Sequence, residues 1–210
     1  MRALVVANGE SPSSALWEEL RAGADLVVAA DGGADLALAV GIVPDAVVGD
    51  LDSVSAAARS SIPADRFHRD PDHHSIDLQK AIAYAIERGA REIDVIASGG
   101  GRADHAFANL SVLTLFRGRA VVRLVDDRFA ISLVDGNASV EGQPGTVVSL
   151  VAIGVCEGVR TVGLRWDLHG ERLPFSPRGI HNEMAEAHAT VSVVSGDLLL
   201  FQGRWVEKHG

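Results

Sequence analysis

The sequence has little cysteine and no long hydrophobic run. Cys156 is the only cysteine among the 210 residues, which excludes an internal disulfide framework and any zinc site built from several cysteines. The longest apolar stretch, Val147–Cys156, is about ten residues long, whereas a membrane-spanning helix needs about 18 or more. The apolar run Ala3–Ala7 is too short for the core of a signal peptide. We therefore expect a cytoplasmic protein that has no membrane partner.

Positive charge is also scarce. The chain has 19 lysine and arginine residues against 28 aspartate and glutamate residues, which gives a net charge of −9. No basic stripe of the kind that binds a phosphate backbone is visible, so we expect no nucleic-acid partner. Apolar residues make up 47% of the chain, which is ordinary for a folded globular protein.

The common signatures of nucleotide binding and nucleophilic catalysis are missing. The sequence contains neither G-x-x-x-x-G-K-[ST] nor G-x-G-x-x-G, and it has no G-x-S-x-G elbow. It is instead rich in aspartate, since 17 of the 28 acidic residues are aspartate and 12 of these lie from Asp25 to Asp104. Short carboxylates at turns are good ligands for a hard cation. We therefore expect the chemistry in the first half of the chain.

Buried strand-like segments alternate with helix-like segments in that first half, a pattern typical of a parallel α/β sheet. The predicted strands are Ala3–Ala7, Asp25–Ala30, Ala46–Val48 and Glu92–Ala97. The predicted helices are one from Ser13 or Ser14 to about Ala22, a second over Ala34–Val40, a short one opened by Ser53 or Ser55, and two over Asp77–Glu87 and Asp104–Phe116.

The second half of the chain reads as strands separated by glycine, asparagine and proline turns, with no convincing helix after Arg117. This spacing predicts an antiparallel sandwich or a barrel-like domain, with the boundary near residues 118–140. The predicted strands are Val121–Val125, Phe129–Leu133, Thr146–Val151, Gly158–Leu164, Ala189–Val194 and Leu198–Gln202.

Four aspartate-bearing turns follow or adjoin predicted strands. They are Asp31-Gly32-Gly33, Gly49-Asp50-Leu51-Asp52-Ser53, the segment Asp70–Asp77, and Gly99-Gly100-Gly101-Arg102-Ala103-Asp104-His105. Ligands of an open parallel sheet collect at the carboxyl ends of its strands, so we expect these turns to meet at one edge. In an extended stretch Asp50 and Asp52 would point to one face, and two like charges held together favour a bound cation. The alternative is a turn whose aspartates bond to their own backbone.

Cationic and backbone donors accompany these acids. The Gly99–Gly101 loop feeds a predicted helix whose first N–H groups attract phosphate, and Arg102 adds a fork of donors. Asp104 could cap that helix or bind a metal ion, while His105 could hydrogen-bond a phosphate or hold a carboxylate. Such an inventory suits phosphoryl-type transfer by positioning and charge neutralisation.

Two further positions allow both an ordinary and a functional interpretation. Asp77 begins a predicted helix, where it is either a cap or a metal ligand. Lys80 lies one turn further on and either reaches a phosphate or belongs to a solvated face. Gly32 and Gly33 let a ligand approach the backbone beside Asp31, or simply form a tight turn.

In combination, these motifs resemble the thiamine pyrophosphokinase family over nearly the whole chain. The similar elements are Ala7-Asn8-Gly9-Glu10, Ala30-Asp31-Gly32-Gly33-Ala34, Pro44-Asp45, Gly49-Asp50-Leu51-Asp52-Ser53, Asp77-Leu78-Gln79-Lys80, Gly100-Gly101-Arg102-Ala103-Asp104-His105 with Asn109, Gly163-Leu164-Arg165-Trp166-x-Leu168 and Ser176-x-x-Gly179-Ile180-x-Asn182-Glu183.

The resemblance implies Mg²⁺-dependent transfer of a pyrophosphoryl group from ATP to the hydroxyethyl oxygen of thiamine, giving thiamine diphosphate and AMP. It implies a Rossmann-like α/β domain with a parallel sheet over residues 1–125 and an antiparallel β-sandwich domain over residues 126–210. It also implies a homodimer whose substrate lies between the subunits, with the thiamine end contacted by the partner's β-domain.

The resemblance also implies roles for individual residues. It assigns Mg²⁺ and the triphosphate to Asp50, Asp52, Asp77 and Asp104, with Asp70 or Asp72 as a further candidate. It assigns the nucleotide to Asn8, Asp31 and the Gly99–Gly101 loop, beside which Gly32, Lys80, Arg102 and His105 are the further ATP-binding candidates. It assigns thiamine to Trp166, Ser176 and Asn182. A tryptophan in a turn-rich β-domain can stack on a cationic heteroaromatic ring, although it could equally be a half-buried packing residue.

Three other functions remain open from the sequence. The same acidic site could serve a pyrophosphokinase that acts on another hydroxymethyl acceptor, such as a pterin. A nucleotide-binding regulator without turnover is a second possibility, although mere binding rarely needs so many acids around phosphates. A metal phosphohydrolase, which would release phosphate without an acceptor, is a third.

Overall fold

The computed structural model describes residues 1–206, and the chain divides into two compact units, Met1–Asp127 and the part from Arg128 onward. None of the helices within residues 1–206 is long and apolar enough to cross a lipid bilayer.

The first unit is built on a parallel sheet. Its strands are β1 (Arg2–Val6), β2 (Leu26–Ala30), β3 (Ala46–Gly49), β4 (Phe67–Arg69), β5 (Glu92–Ile96) and β6 (Val121–Val125). Its helices are α1 (Ser14–Ala22), α2 (Gly33–Ala39), α3 (Ala56–Ser61), α4 (Asp77–Glu87) and α5 (Ala103–Leu115), with a 3-10 turn at Ala64–Arg66. Every pair of neighbouring strands is parallel, which confirms the predicted α/β class.

The strand order of this sheet determines where a ligand can bind. The order is β4-β3-β2-β1-β5-β6, so the chain proceeds outward from β1 in one direction as far as β4 and then crosses to the other side of β1 with β5. A crevice opens outside the carboxyl ends of the strands at such a reversal, because the loops that follow the two central strands turn away from each other. Here those are the loops after β1 and β5.

The helix boundaries follow from local sequence signals. Ser13 caps α1 by accepting a hydrogen bond from the Leu16 N–H, and Ser55 caps α3 through the Ala58 N–H at 3.0 Å. The bounds predicted for α4 are confirmed, because its buried residues recur at helical spacing. The three-residue strand β4 was not predicted, since it is too short to display an alternating pattern.

The second unit is antiparallel throughout the residues described. Its strands are β7 (Phe129–Val134), β8 (Asn137–Glu141), β9 (Thr146–Val162), β10 (His169–Pro174), β11 (Asn182–Glu183), β12 (His188–Ser192) and β13 (Ser195–Val206). The first part of β9 pairs with β13 and β11, and its last part pairs with β10 and β12. Strand β9 therefore belongs to two sheets, as expected for a sandwich.

Strand β9 differs from the sequence prediction, which divided it into Thr146–Val151 and Gly158–Leu164. The structure joins these segments into one strand. Gly154 and Gly158 adopt positive φ angles of 82° and 65°, so the chain can bend at these residues while the strand continues. The short strands β8, β10 and β11 were not predicted, because their sequences are polar and lack a clear alternation.

The core of the second unit lies between these sheets. Alternate residues of β9, Val148, Leu150 and Ala152, pack with Leu198 and Leu200 of β13, as the two-residue period of strands requires. Cys156 is fully buried in the same cluster, where it packs as a small hydrophobic residue.

The start of α2 generates a stability prediction. A Cβ atom on Gly33 would lie 2.1 Å from the carbonyl oxygen of Val6 in β1, which is a rigid backbone atom. We expect Gly33→Ala to lower the free energy of unfolding by about 2 kcal/mol or more, measured by denaturant titration. Gly99→Ala is the control, because its Cβ would meet nothing within 4 Å. Equal effects of the two substitutions would contradict the close approach of α2 to β1.

Candidate functional site

A pocket of about 690 Å³ lies at the carboxyl edge of the first unit's sheet. The loops after β1 and β5 line it through Ala7–Glu10 and Ser98–Arg102, and α5 contributes residues of its first two turns. Each of the four aspartate-bearing turns described above supplies at least one lining residue. The pocket therefore occupies the crevice that the strand order predicts.

Three carboxylates from different elements meet beside this pocket. Asp31 follows β2, Asp50 follows β3, and Asp77 is the first residue of α4. Each offers a carboxylate oxygen within 4.8 Å of the other two. We call these three residues the carboxylate cluster. It offers only oxygen donors, which is the preference of a hard divalent cation such as Mg²⁺.

Asp31 is the most buried member of the carboxylate cluster, with 3% of its surface exposed. Its Oδ2 accepts a hydrogen bond from the Ser53 N–H at 3.1 Å, whereas its buried Oδ1 has no hydrogen-bond partner among residues 1–206. Burial raises the pKa of Asp31, and the charges of Asp77 and Asp50 raise it further, against the opposing hydrogen bond from Ser53. A buried carboxylate oxygen without a donor is unfavourable, and a bound cation would satisfy it.

The backbone around the carboxylate cluster is strained. Asp31, Leu51 and Ala97, which follow β2, β3 and β5, have φ angles of 45°, 69° and 55°. Residues with a side chain occupy this left-handed region only where the surrounding structure holds them. For Leu51 the cause is visible, because its side chain is buried in an apolar cluster with Val54 and Ile62.

Gly49 provides the space between two of the carboxylates. A Cβ atom at this position would lie 3.0 Å from Asp77 Oδ1 and 3.1 Å from Asp31 Cβ. A larger residue would therefore push the carboxylate cluster apart, and glycine is required by this close approach.

Asp77 and Lys80 are linked to each other. The N-cap position of α4 is occupied by Ile76, and no side chain caps this helix, so Asp77 does not act as the cap. Lys80 is buried rather than solvated, and its Nζ donates to Asp77 Oδ1 at 3.1 Å and to the Asp70 carbonyl oxygen at 3.0 Å. This buried ammonium offsets part of the negative charge of the carboxylate cluster.

The other predicted acids lie outside the carboxylate cluster. Asp52 is exposed, and its Oδ1 accepts a hydrogen bond from the Ser53 hydroxyl at 2.9 Å. Asp104 is also exposed and accepts two hydrogen bonds from Arg102, at 3.1 and 2.6 Å. The Arg102 guanidinium lowers the pKa of Asp104 to about 2. The turns of Asp31, Asp50 and Asp77 meet at one edge as expected, whereas the resemblance assigns Asp31 to the nucleotide and not to the metal ion.

The predicted nucleotide contacts are arranged around the pocket. Asn8 and His105 are exposed and line it. Gly32 lies directly against Asn8, since a Cβ there would be 2.4 Å from Asn8 Nδ2. The glycine loop after β5 is fixed from two sides, because the Gly99 carbonyl accepts the Glu10 N–H at 2.8 Å and the Ser98 carbonyl accepts Asn109 Nδ2 at 2.7 Å.

The second unit has a smaller pocket of about 220 Å³. Its lining residues are Leu150, Trp166, Leu168, Gly179, Ile180, His181 and Asn182. Trp166 is 55% exposed, so its side chain borders both the pocket and solvent. Ser176 does not line this pocket, and its hydroxyl accepts a hydrogen bond from the Arg178 N–H at 3.4 Å.

Two family models match the chain in succession. The model of the thiamin pyrophosphokinase catalytic domain matches residues 17–123. The model of the thiamin pyrophosphokinase vitamin B1 binding domain matches residues 137–198. The first match covers the carboxylate cluster, and the second covers the pocket that contains Trp166.

Similar proteins come from plants, bacteria and fungi. Thiamine pyrophosphokinase 3 of Oryza sativa subsp. japonica is 28% identical in an alignment of 171 positions that covers 73% of this chain and 63% of that protein, so the chain spans less than two thirds of it. Thiamine pyrophosphokinase 1 of Arabidopsis thaliana is 28% identical in an alignment of 207 positions that covers 82% of this chain and 75% of that protein.

Solved structures share the fold at low identity. The thiamine pyrophosphokinase of Bacillus subtilis has a TM-score of 0.83 and 24% identity, covering 97% of this chain and 99% of its own. That of Candida albicans has a TM-score of 0.81 and 15% identity, covering 98% and 90%. These likenesses confirm the fold class, an α/β part followed by an antiparallel β part.

The position of Asp31 generates a prediction about stability, pH and metal. Because the pKa of Asp31 is raised, the folded protein binds its proton more tightly than the unfolded chain does. The stability of the metal-free protein should therefore fall as the pH rises from 3.8 through the raised pKa. We expect Asp31→Asn to stabilise the metal-free protein at pH 7 by on the order of 1 kcal/mol and to abolish most of the additional stability gained from Mg²⁺.

Thermal unfolding with and without Mg²⁺ measures both effects. Asp65→Asn is the control, because Asp65 is an exposed aspartate outside the carboxylate cluster. If Mg²⁺ stabilises the Asp31→Asn variant as much as the wild type, Asp31 does not bind the cation.

Proposed function

We propose a function from the premise that this chain belongs to the thiamine pyrophosphokinase family, since models of both family domains match it. We infer that it catalyses the transfer of a pyrophosphoryl group from ATP to thiamine, giving thiamine diphosphate and AMP. The observation that carries this proposal is the carboxylate cluster beside the pocket at the carboxyl edge of the first unit's sheet. One buried oxygen of Asp31 in that cluster has no hydrogen-bond donor among the described residues.

A divalent cation fits the residues of this site. The carboxylate cluster would hold Mg²⁺ through oxygens of Asp31, Asp50 and Asp77, and the unpartnered Asp31 Oδ1 supports this fit. When bound, Mg²⁺ would neutralise charge on the phosphate oxygens of ATP. Gly49 and the buried Lys80 keep the carboxylates in place for it.

The loop after β5 and the start of α5 would bind the polyphosphate of ATP. Helix α5 has 13 residues, and the N–H groups at its start attract anions. The Arg102 side chain is 74% exposed and lines the pocket, so its guanidinium can contact a phosphate while Asp104 orients it. The role of Asp52 in triphosphate binding stays a prediction.

The reaction needs positioning more than covalent chemistry from the protein. A bond forms between the hydroxyl oxygen of thiamine and the β-phosphorus of ATP, and the bond from that phosphorus to the oxygen bridging to the α-phosphorus breaks. AMP leaves, and the hydroxyl proton is released. Because the transition state of phosphoryl-type transfer is loose, the contribution of the chain is to align the two substrates and stabilise the charge on their oxygens.

The pocket of the second unit would bind the heteroaromatic part of thiamine. Its volume of about 220 Å³ suits a part of a ligand rather than a whole nucleotide, and the exposed Trp166 offers a face for stacking. The match to a vitamin B1 binding domain over residues 137–198 supports thiamine over a pterin or a regulator without an acceptor. A net charge of −9 also suits a cationic substrate.

We also propose that the protein is a homodimer, as the resemblance implies. Phe175, Ile180 and Val194 of the second unit are large apolar side chains with 61%, 54% and 83% of their surface exposed, as on a surface that another copy covers. Light scattering should give twice the 22.1 kDa chain mass, and a monomer at micromolar concentration would refute this proposal. The cytoplasmic location stays a prediction.

The products of the reaction test the proposed function directly. The protein incubated with ATP, Mg²⁺ and thiamine should give AMP and thiamine diphosphate, because attack at the β-phosphorus transfers two phosphates together. Mass spectrometry of the mixture identifies these products. ADP with thiamine monophosphate would indicate ordinary kinase chemistry, and phosphate release without thiamine would indicate a hydrolase. Either result would overturn the proposal.

A further inference from the structure

Trp166 combines high exposure with an unusually well-fixed backbone. Asn182 Nδ2 donates to the Trp166 carbonyl oxygen at 2.7 Å, and the Trp166 N–H donates to Asn182 Oδ1 at 3.2 Å. The preceding Arg165 N–H donates to the Glu183 carbonyl oxygen at 2.9 Å. Strand β11 thus holds the peptide of a residue that is 55% exposed.

The indole ring is held as well as its backbone. The Arg165 guanidinium lies over the ring, with its central carbon 5.0 Å from the ring centroid, a geometry of cation–π attraction. Arg165 is itself bonded to the carboxylate of Glu183, whose side chain is 8% exposed. A buried carboxylate stays charged only where it is paired, so Glu183 anchors the arginine on the ring.

The ring that the arginine contacts also borders the pocket. Trp166 lines that pocket together with Leu168 and Ile180, whereas Arg165 does not line it. The guanidinium therefore contacts the indole from outside the pocket lining. A flat ligand in the pocket can stack on the part of the ring that the arginine leaves open.

Asn182 also has a structural task beside the pocket that it lines. Its Oδ1 accepts hydrogen bonds from the N–H groups of Trp166 and Glu183, at 3.2 and 2.9 Å. Two accepted hydrogen bonds use both lone pairs of an amide oxygen. The resemblance assigns Asn182 to thiamine, and these contacts show that it holds the peptide of the tryptophan as well.

We propose that Arg165, Asn182 and Glu183 are positioning residues that hold Trp166 as a platform for a flat heteroaromatic ligand. The identity of that ligand as thiamine rests on the proposed function, whereas the platform does not. A ring fixed before binding loses less freedom when the ligand stacks on it. The three positioning residues therefore affect the affinity for thiamine through the tryptophan that they hold.

Two variants test the platform, each with a matched control in the same unit. Arg165→Gln removes the charge from the ring and is compared with Arg172→Gln, an exposed arginine paired with Glu157 at 2.9 Å. Asn182→Ala removes the backbone contacts and is compared with Asn137→Ala, an exposed asparagine. Arg165→Lys and Asn182→Asp keep part of each interaction and should recover part of the lost affinity.

The first readout needs no ligand. The ¹⁵N heteronuclear NOE of the Trp166 indole N–H, assigned with Trp166→Phe, should fall in Arg165→Gln and Asn182→Ala but not in the two controls. Unchanged indole dynamics in both variants would overturn the proposal that these residues hold the Trp166 ring.

The second readout is a titration of the metal-free protein with thiamine, followed by tryptophan fluorescence. We expect the dissociation constant for thiamine to rise about tenfold in Arg165→Gln and Asn182→Ala, with the KM for ATP changed less than about twofold in the holoenzyme. A thiamine affinity within twofold of the wild type, or equal losses for ATP and thiamine, would overturn the positioning role. If the wild type itself does not bind thiamine, the proposed function is wrong. The NOE comparison then still tests whether the positioning residues hold the Trp166 ring.

Discussion

Three carboxylates with oxygens within 4.8 Å of one another are the constraint on which the rest of the first unit depends. Like charges about 4 Å apart repel by about 4 kcal/mol in surroundings of intermediate polarity, so a protein keeps them together only where something positive compensates. Lys80 supplies part of that compensation to Asp77. The buried Asp31 Oδ1 receives none from the described residues.

The fold explains how distant parts of the sequence reach this arrangement. Parallel strands deliver their carboxyl ends to one edge, and the reversal between β1 and β5 opens a crevice there. The carboxylates come from loops on one side of that reversal, whereas the glycine loop and Arg102 come from the other. Negative groups that hold a cation and donors that bind an anion therefore border the same pocket, which is the arrangement that a metal–polyphosphate ligand needs.

The class of both units and the bounds of α4 could be predicted from the sequence, because apolar residues there recur at the regular spacing of strands or helices. Strand β4 could not be predicted, since three residues are too few to show an alternating pattern. The continuity of β9 could not be predicted either, since Gly154 and Gly158 resemble the glycines of a turn. Asp50 and Asp77 were assigned to the metal from spacing and resemblance, and the structure brings both of them together. The place of Asp31 depends on β2 lying beside β3, and the burial of Lys80 depends on how α4 packs. Strand order and helix packing are tertiary facts that a single sequence does not state.

A cation seen in a crystal would test the central claim most directly. Crystals grown with Mn²⁺ and a non-hydrolysable ATP analogue would locate the ion by its anomalous scattering. The account predicts an ion bonded to carboxylate oxygens of Asp31, Asp50 and Asp77 at about 2.1 Å, with the polyphosphate reaching the Gly99–Gly101 loop. An ion bound elsewhere, with Asp31 Oδ1 still lacking a partner, would contradict it.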